Sequence, residues 1–169
     1  STTGTPTGLT STAAAFATTG SVTGSAGIPI SVTAEQINLG NTLGNSGAGA
    51  ITLEPAANGT TIGLGDPAGT FNLTGTELGF LSTTGTVTIG RSLGTAAITI
   101  GGSGALNLVG TSYNLLIEGS SSALTFAAAT LTLGNNRTLT LSYGGDITVS
   151  SGVTHVAIVG TGTLIIAQA

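Results

Sequence analysis

From Ile28 onward the chain alternates apolar and small polar residues in short runs. Residues 28–32 (IPISV), 50–54 (AITLE), 70–74 (TFNLT), 86–90 (TVTIG), 97–101 (AITIG), 138–142 (TLTLS) and 163–167 (TLIIA) typify them. The period is two and the apolar members are Leu or β-branched, the pattern of half-buried strands. Gly, Asn, Ser or Asp punctuates nearly every gap and supplies the turns. No segment carries a convincing helix pattern. Ala13–Ala15 and Ala127–Ala129 are short and embedded in Thr and Ser.

The spacing of the runs sets the architecture. Between Thr99 and Ile165 their centres recur about every 7 to 9 residues, so three runs occupy about 23 to 26 residues, one turn of a three-faced solenoid. Antiparallel meanders also place strands at about 8 to 12 residues, which leaves a β-sandwich as the alternative. Short gaps suit solenoid corners, and the Asn-Gly signature of tight hairpins is clear only at Asn58-Gly59. The expectation is an all-β chain folded as a parallel β-solenoid of about five coils over residues 28–169. Residues 1–27 are low in complexity and read as an extended or flexible segment, a candidate strand-donating arm. No amphipathic helix or charged strand is available to cap the rod. The apolar run Thr163–Ala167 therefore predicts an open edge that invites a neighbour.

Composition narrows the functions. Of 169 residues 5% are charged, with two Arg and no Lys, and the formal charge is −4. A basic patch for nucleic acid or anionic lipid cannot be built from this set, and a Walker lysine is absent. One His and no Cys exclude a thiolate or histidine-cluster metal site. The chain has 33 Thr, 16 Ser and 29 Gly, so its surface is neutral and hydroxyl-rich. Little like-charge repulsion opposes association with further copies. No apolar run reaches the length of a membrane helix. The opening Ser1–Gly4 lacks the features of a signal peptide, which suggests a mature chain or an excised section. The lack of Cys fits a bacterial or archaeal exterior stabilised by backbone pairing.

Residues 51–102 add a further pattern. Gly69-Thr70-Phe71-Asn72-Leu73-Thr74, then Glu77-Leu78, then Thr84-Gly85-Thr86-Val87-Thr88-Ile89-Gly90 and Ile98-Thr99-Ile100 resemble the repeats of filamentous haemagglutinin-like exoproteins of bacterial two-partner secretion. The resemblance covers about a third of the chain. It implies a right-handed parallel β-helix, an extracellular, cell-surface location, and a structural role as a section of a surface adhesin or a filament subunit. The expected partner is a second copy, by end-to-end β stacking or strand donation. Host or surface glycans are a further candidate partner, and glycan or ice binding on the same scaffold is the alternative function. No nucleic-acid partner, membrane insertion, cofactor, metal site or catalytic residue is expected.

Glu35, Glu54, Asp66, Glu77, Glu118 and Asp146 are too dispersed in sequence to predict a calcium cage, and read as solvated corners. Gly101-Gly102-Ser103-Gly104 lacks the Asp of a calcium-binding repeat. Gly90-Arg91-Ser92-Leu93-Gly94 matches a nucleophile-elbow spacing, and His155 with Asp146 completes a formal triad. A strand pattern follows where an elbow requires a helix. Paired-carboxylate glycoside chemistry lacks aromatic platforms. Arg91 and Arg137 are expected to donate to loop carbonyls. Asn38, Asn72 and Asn107 lie in strand-like runs and predict stacked amide ladders, with Asn135-Asn136 in a turn. Asn58, Asn72 and Asn136 head glycosylation sequons. The Thr86/Thr88, Thr130/Thr132 and Thr138/Thr140 pairs suggest water-ordering arrays. Thr130 and Thr138 fall one strand apart, on different faces, which argues against a continuous one.

Overall fold

The computed structural model describes residues 9–65, 69–101, 106–121, 123–127, 130–149, 157–159 and 161–168. Every strand pairing in it is parallel, and the chain winds as a right-handed parallel β-helix of about six turns. One face is a seven-stranded sheet. It is formed by β1 (Leu9–Thr18), β3 (Ile30–Leu39), β5 (Ile51–Glu54), β9 (Thr86–Gly90), β12 (Asn114–Gly119), β15 (Thr138–Tyr143) and β18 (Thr163–Ala167), in that order. The second face orders β7 (Phe71–Thr74), β6 (Ile62–Gly65), β10 (Ile98–Ile100), β13 (Leu124–Phe126) and β16 (Ile147–Val149). The third is split into two three-stranded sheets. These are β2 (Val22–Gly24), β4 (Leu43–Asn45) and β8 (Leu81–Ser82), then β11 (Leu106–Asn107), β14 (Thr130–Thr132) and β17 (Ala157–Val159).

Period-two patterning fills the interior. β12 and β15 bury every second residue, and their registers stack like on like. Ile30, Ile51, Val87, Leu115 and Leu139 form one buried column; Val32, Leu53, Ile89, Ile117 and Leu141 form a second. Phe71, Ile62, Ile98 and Leu124 line the second face. Coils lie about 4.8 Å apart, so each buried side chain packs on its equivalents above and below.

The coils are of two kinds. In the C-terminal part the register partners Leu115 and Leu139 are 24 residues apart and Leu139 and Leu164 are 25, within the expected repeat. The first coils are shorter: Leu9, Ile30 and Ile51 are spaced by 21. β1 and β3 turn a corner without leaving the strand. In β3 the buried positions run Ile30, Val32, Ala34 and then switch to Ile37 and Leu39. The change of parity at Glu35–Gln36 carries the strand onto the second face. The third coil is longer, with Ile51 and Val87 36 apart. After β6 the chain doubles back and lays β7 parallel beside it, pairing Ile62 with Phe71.

Three expectations are corrected. The solenoid begins at Leu9 rather than Ile28: β1 and β2 pair in parallel with β3 and β4, so residues 9–27 belong to the first coil. The turns number about six, not five, because β1 and β2 add a coil ahead of Ile28. One short helix occurs among the described residues, α1 (Gly75–Gly79). Thr74 and Glu77 close it with a capping box, the Thr74 hydroxyl accepting from Glu77 N–H and the Glu77 carboxylate from Thr74 N–H.

Candidate functional site

The ends of the rod are where backbone groups and side chains lack a further coil. At the C-terminal end β18, β16 and β17 are each the outermost strand of their sheet. Leu164 and Ile166 continue the columns of Leu139 and Leu141, yet they are 38% and 62% exposed where Leu139 and Leu141 are fully buried. Ile147 and Val149 likewise continue Leu124 and Phe126 and stand exposed. The sequence type is the same within a column; among the described residues no further strand covers β18 or β16. The result is an apolar rim bearing unpaired strand edges, a template for further pairing.

The N-terminal end is made differently. β1 and β2 are the outermost strands, but β1 carries Ser11, Ala13 and Phe16 at inward positions, all half-buried. Asn41 N–H donates to the Thr18 hydroxyl, and that hydroxyl donates to the Asn41 carbonyl. Behind this end, polar staples hold the turns. Buried Asn45 donates from Nδ2 to the Ile28 and Gly49 carbonyls and accepts from Gly47 N–H. Buried Thr83 donates to the Gly49 carbonyl at 2.7 Å and accepts from Gly85 N–H. Tyr113, just before β12, buries its ring and donates to the Leu78 carbonyl of α1 at 2.9 Å. Burial pushes its phenol well above the ordinary range.

The sequence-derived acidic residues scatter as expected, with one exception. Glu54, Gly90 and Glu118 occupy one outward column at the end of the first face. Gly90 has φ +112, and a Cβ there would lie 2.1 Å from the Glu118 carbonyl oxygen. Arg91 follows it. Its Nη1 donates to the Pro55 and Ala56 carbonyls at 2.9 Å, the role expected of it, and its Nε lies 3.6 Å from Glu54. Partial burial and the neighbouring Glu54 raise the Glu118 carboxyl above the usual range, against an opposing hydrogen bond from Ser92 N–H. The cavity beside this cluster encloses about 10 Å³, room for a single water. The arrangement can tie three successive coils together, and it is too small to seat a sugar ring.

The remaining candidates sort as follows. Glu77 is not a solvated corner: besides capping α1 it accepts from Leu39 N–H at 2.8 Å. Glu35 accepts from the Thr60 hydroxyl. Asp146 is exposed, and Asp66 and His155 lie outside the described residues. A strand, β10, follows the Gly90–Gly94 match. No group of three or more His, Cys, Asp or Glu converges among the described residues. The amide ladders do not form: Asn38 registers with Ala17, Asn72 with Gly63 and Asn107 with Thr132. Asn107 instead accepts from Val109 N–H in a local turn. Of the sequons, Asn58 and Asn136 are exposed and Asn72 is half-buried. The Thr130/Thr132 pair lies on the third face and Thr138/Thr140 on the first, as anticipated. Thr86/Thr88 shares that first face, but Leu116 and Ile165 interrupt the column of Thr52, Thr88 and Thr140.

Sequence reasoning missed Asn45, Thr83 and Tyr113, whose partners are main-chain carbonyls brought near only by the winding. The Thr-x-x-Glu spacing at Thr74 and Glu77 was a usable capping-box signal. Comparison of the chain with protein-family models, curated proteins and solved structures returns no match in any of the three.

Proposed function

We propose that this chain is a secreted structural protein, a section of a β-helical surface adhesin or a subunit of an extracellular filament, which self-associates through its open β ends. The observation that carries the reading is the C-terminal rim, where Leu164, Ile165, Ile166, Ile147 and Val149 stand exposed on strands paired on one side only. A neighbour's β1 edge laid parallel to β18 would continue the ladder and cover Leu164 and Ile166. The nearly uncharged surface leaves little repulsion to oppose that contact. The haemagglutinin-like texture of residues 51–102 supports the extracellular assignment.

The test is sedimentation and negative-stain microscopy across a concentration series of the full chain. Fibres or end-on oligomers are expected, and Leu164→Lys with Ile166→Lys should return discrete monomers. Wild-type protein that stays monomeric at millimolar concentration sinks the proposal.

A further inference from the structure

The first coils leave a second feature that end-on stacking does not use. The ladder of the second face stops at β7, and the second half of β3 continues beside it without joining that ladder. Leu39 N–H, which a strand neighbour would engage, donates to Glu77 instead. At this step lies an open groove of about 580 Å³, within the size range of small-ligand sites. Gln36 and Asn38 of β3 and Thr70 and Asn72 at β7 line it, with Phe16 and Ile37 beneath.

The chemistry of this lining is specific. Among the described residues no ionisable side chain contributes to it. Gln36 and Asn38 are exposed, and their amides have no protein partner among the described residues. Asn72 donates from Nδ2 to the Gly69 carbonyl, which leaves its Oδ1 as an acceptor. Alternate residues on a strand lie about 6.6 Å apart and neighbouring strands about 4.8 Å apart. The amides and the Thr70 hydroxyl form an uncharged cluster of donors and acceptors, the groups that pair with sugar hydroxyls. Acidic ligands find no cation here. A peptide strand would need room between the free edges of β3 and β7, and these two already lie side by side with Cα atoms within 8 Å of one another.

We infer that this groove binds a neutral oligosaccharide, held by the Gln36, Asn38 and Asn72 amides and the Thr70 hydroxyl. Each copy carries one such groove on a side face, so an assembly of copies would present a row of sites and gain avidity from weak individual ones.

A glycan array probed with the multivalently displayed full chain tests this, followed by titration of the retained glycan. Neutral oligosaccharides should be retained in preference to acidic ones. Asn38→Ala with Asn72→Ala should weaken binding at least about tenfold. Asn107→Ala, on the third face, should leave it unchanged. Titrations run in parallel on the Leu164→Lys, Ile166→Lys protein separate sugar binding from self-association, so either can fail alone. No retention of any neutral glycan, a preference for acidic glycans, retention of peptides instead, or undiminished binding by folded Asn38→Ala, Asn72→Ala protein overturns the proposal.

Discussion

At one end of the rod β1 presents Ser, Ala and Thr, and the coils behind it are fastened by Asn45, Thr83, Glu77 and Tyr113. At the other, β18 and β16 present exposed Leu, Ile and Val with no further strand over them among the described residues. Both ends close a stack of parallel strands, and both leave main-chain groups without a ladder partner. They differ in how much apolar surface stays wet. Small side chains in β1 limit that surface, and polar staples support the adjacent turns. Regular apolar columns carry the C-terminal coils efficiently until the last one, where the same residue type becomes a liability. A solenoid stabilised by stacking is therefore weakest wherever stacking stops.

The largest effect should come from charging the apolar rim. Leu164→Lys with Ile166→Lys should lower the self-association constant by about a hundredfold or more, since assembly would then bury two ammonium groups. Thr10→Lys with Thr12→Lys in β1 should reduce it less, because outward lysines only discourage pairing at the edge. Sedimentation equilibrium reads both, and equal losses would erase the asymmetry. Next comes a contrast within one column. Leu141→Ala should cost the monomer about 2 to 5 kcal/mol. Ile166→Ala, its register partner, should cost less than about 1 kcal/mol because that side chain is already largely in water. Denaturant unfolding under monomeric conditions compares the two.

Tyr113→Phe probes the staples of the other half. It removes the side-chain donor to the Leu78 carbonyl, and a loss of about 1 to 3 kcal/mol is expected. A neutral result would mean that water replaces the hydroxyl. The smallest effect concerns Glu118. Its carboxyl is raised in the folded state, so the native protein holds this proton more tightly than the unfolded chain does. That contribution to stability is lost as pH rises from the ordinary carboxylate range through the raised value. Glu118→Gln should flatten this part of the profile and raise the melting temperature slightly at pH 7. A steeper profile in the variant contradicts the assignment.

How legible this molecule was depended on how strictly each region alternates. β15 could be read directly, because its TLTL run puts each Leu inside and each Thr outside; β12 and β18 alternate in the same way but carry Leu116 and Ile165 on the outward side. The first coil was hidden: Ala and Thr in β1 carry little hydropathic contrast, and the corner in β3 uses Ala34-Glu35-Gln36 with no turn residue. α1 has only five residues and shows no helical period. The doubling back of β6 onto β7 left two ordinary strand patterns in the sequence and no sign that they pair with each other. The expected amide ladders failed because each candidate Asn meets a different residue in register, and register is set by coil length.

The sequence alone determined that the chain is all-β, that its interior is Leu, Ile and Val, and that its surface is neutral, and its spacing favoured a parallel coil over a sandwich. These follow from alternation, spacing and composition, which are local quantities. Only the tertiary structure decided the number of turns, the positions of the staples, the step that opens the groove beside β3, and which apolar residues remain bare. Those depend on which segments the winding sets side by side, and a column of identical side chains cannot reveal in sequence where its last covering layer lies.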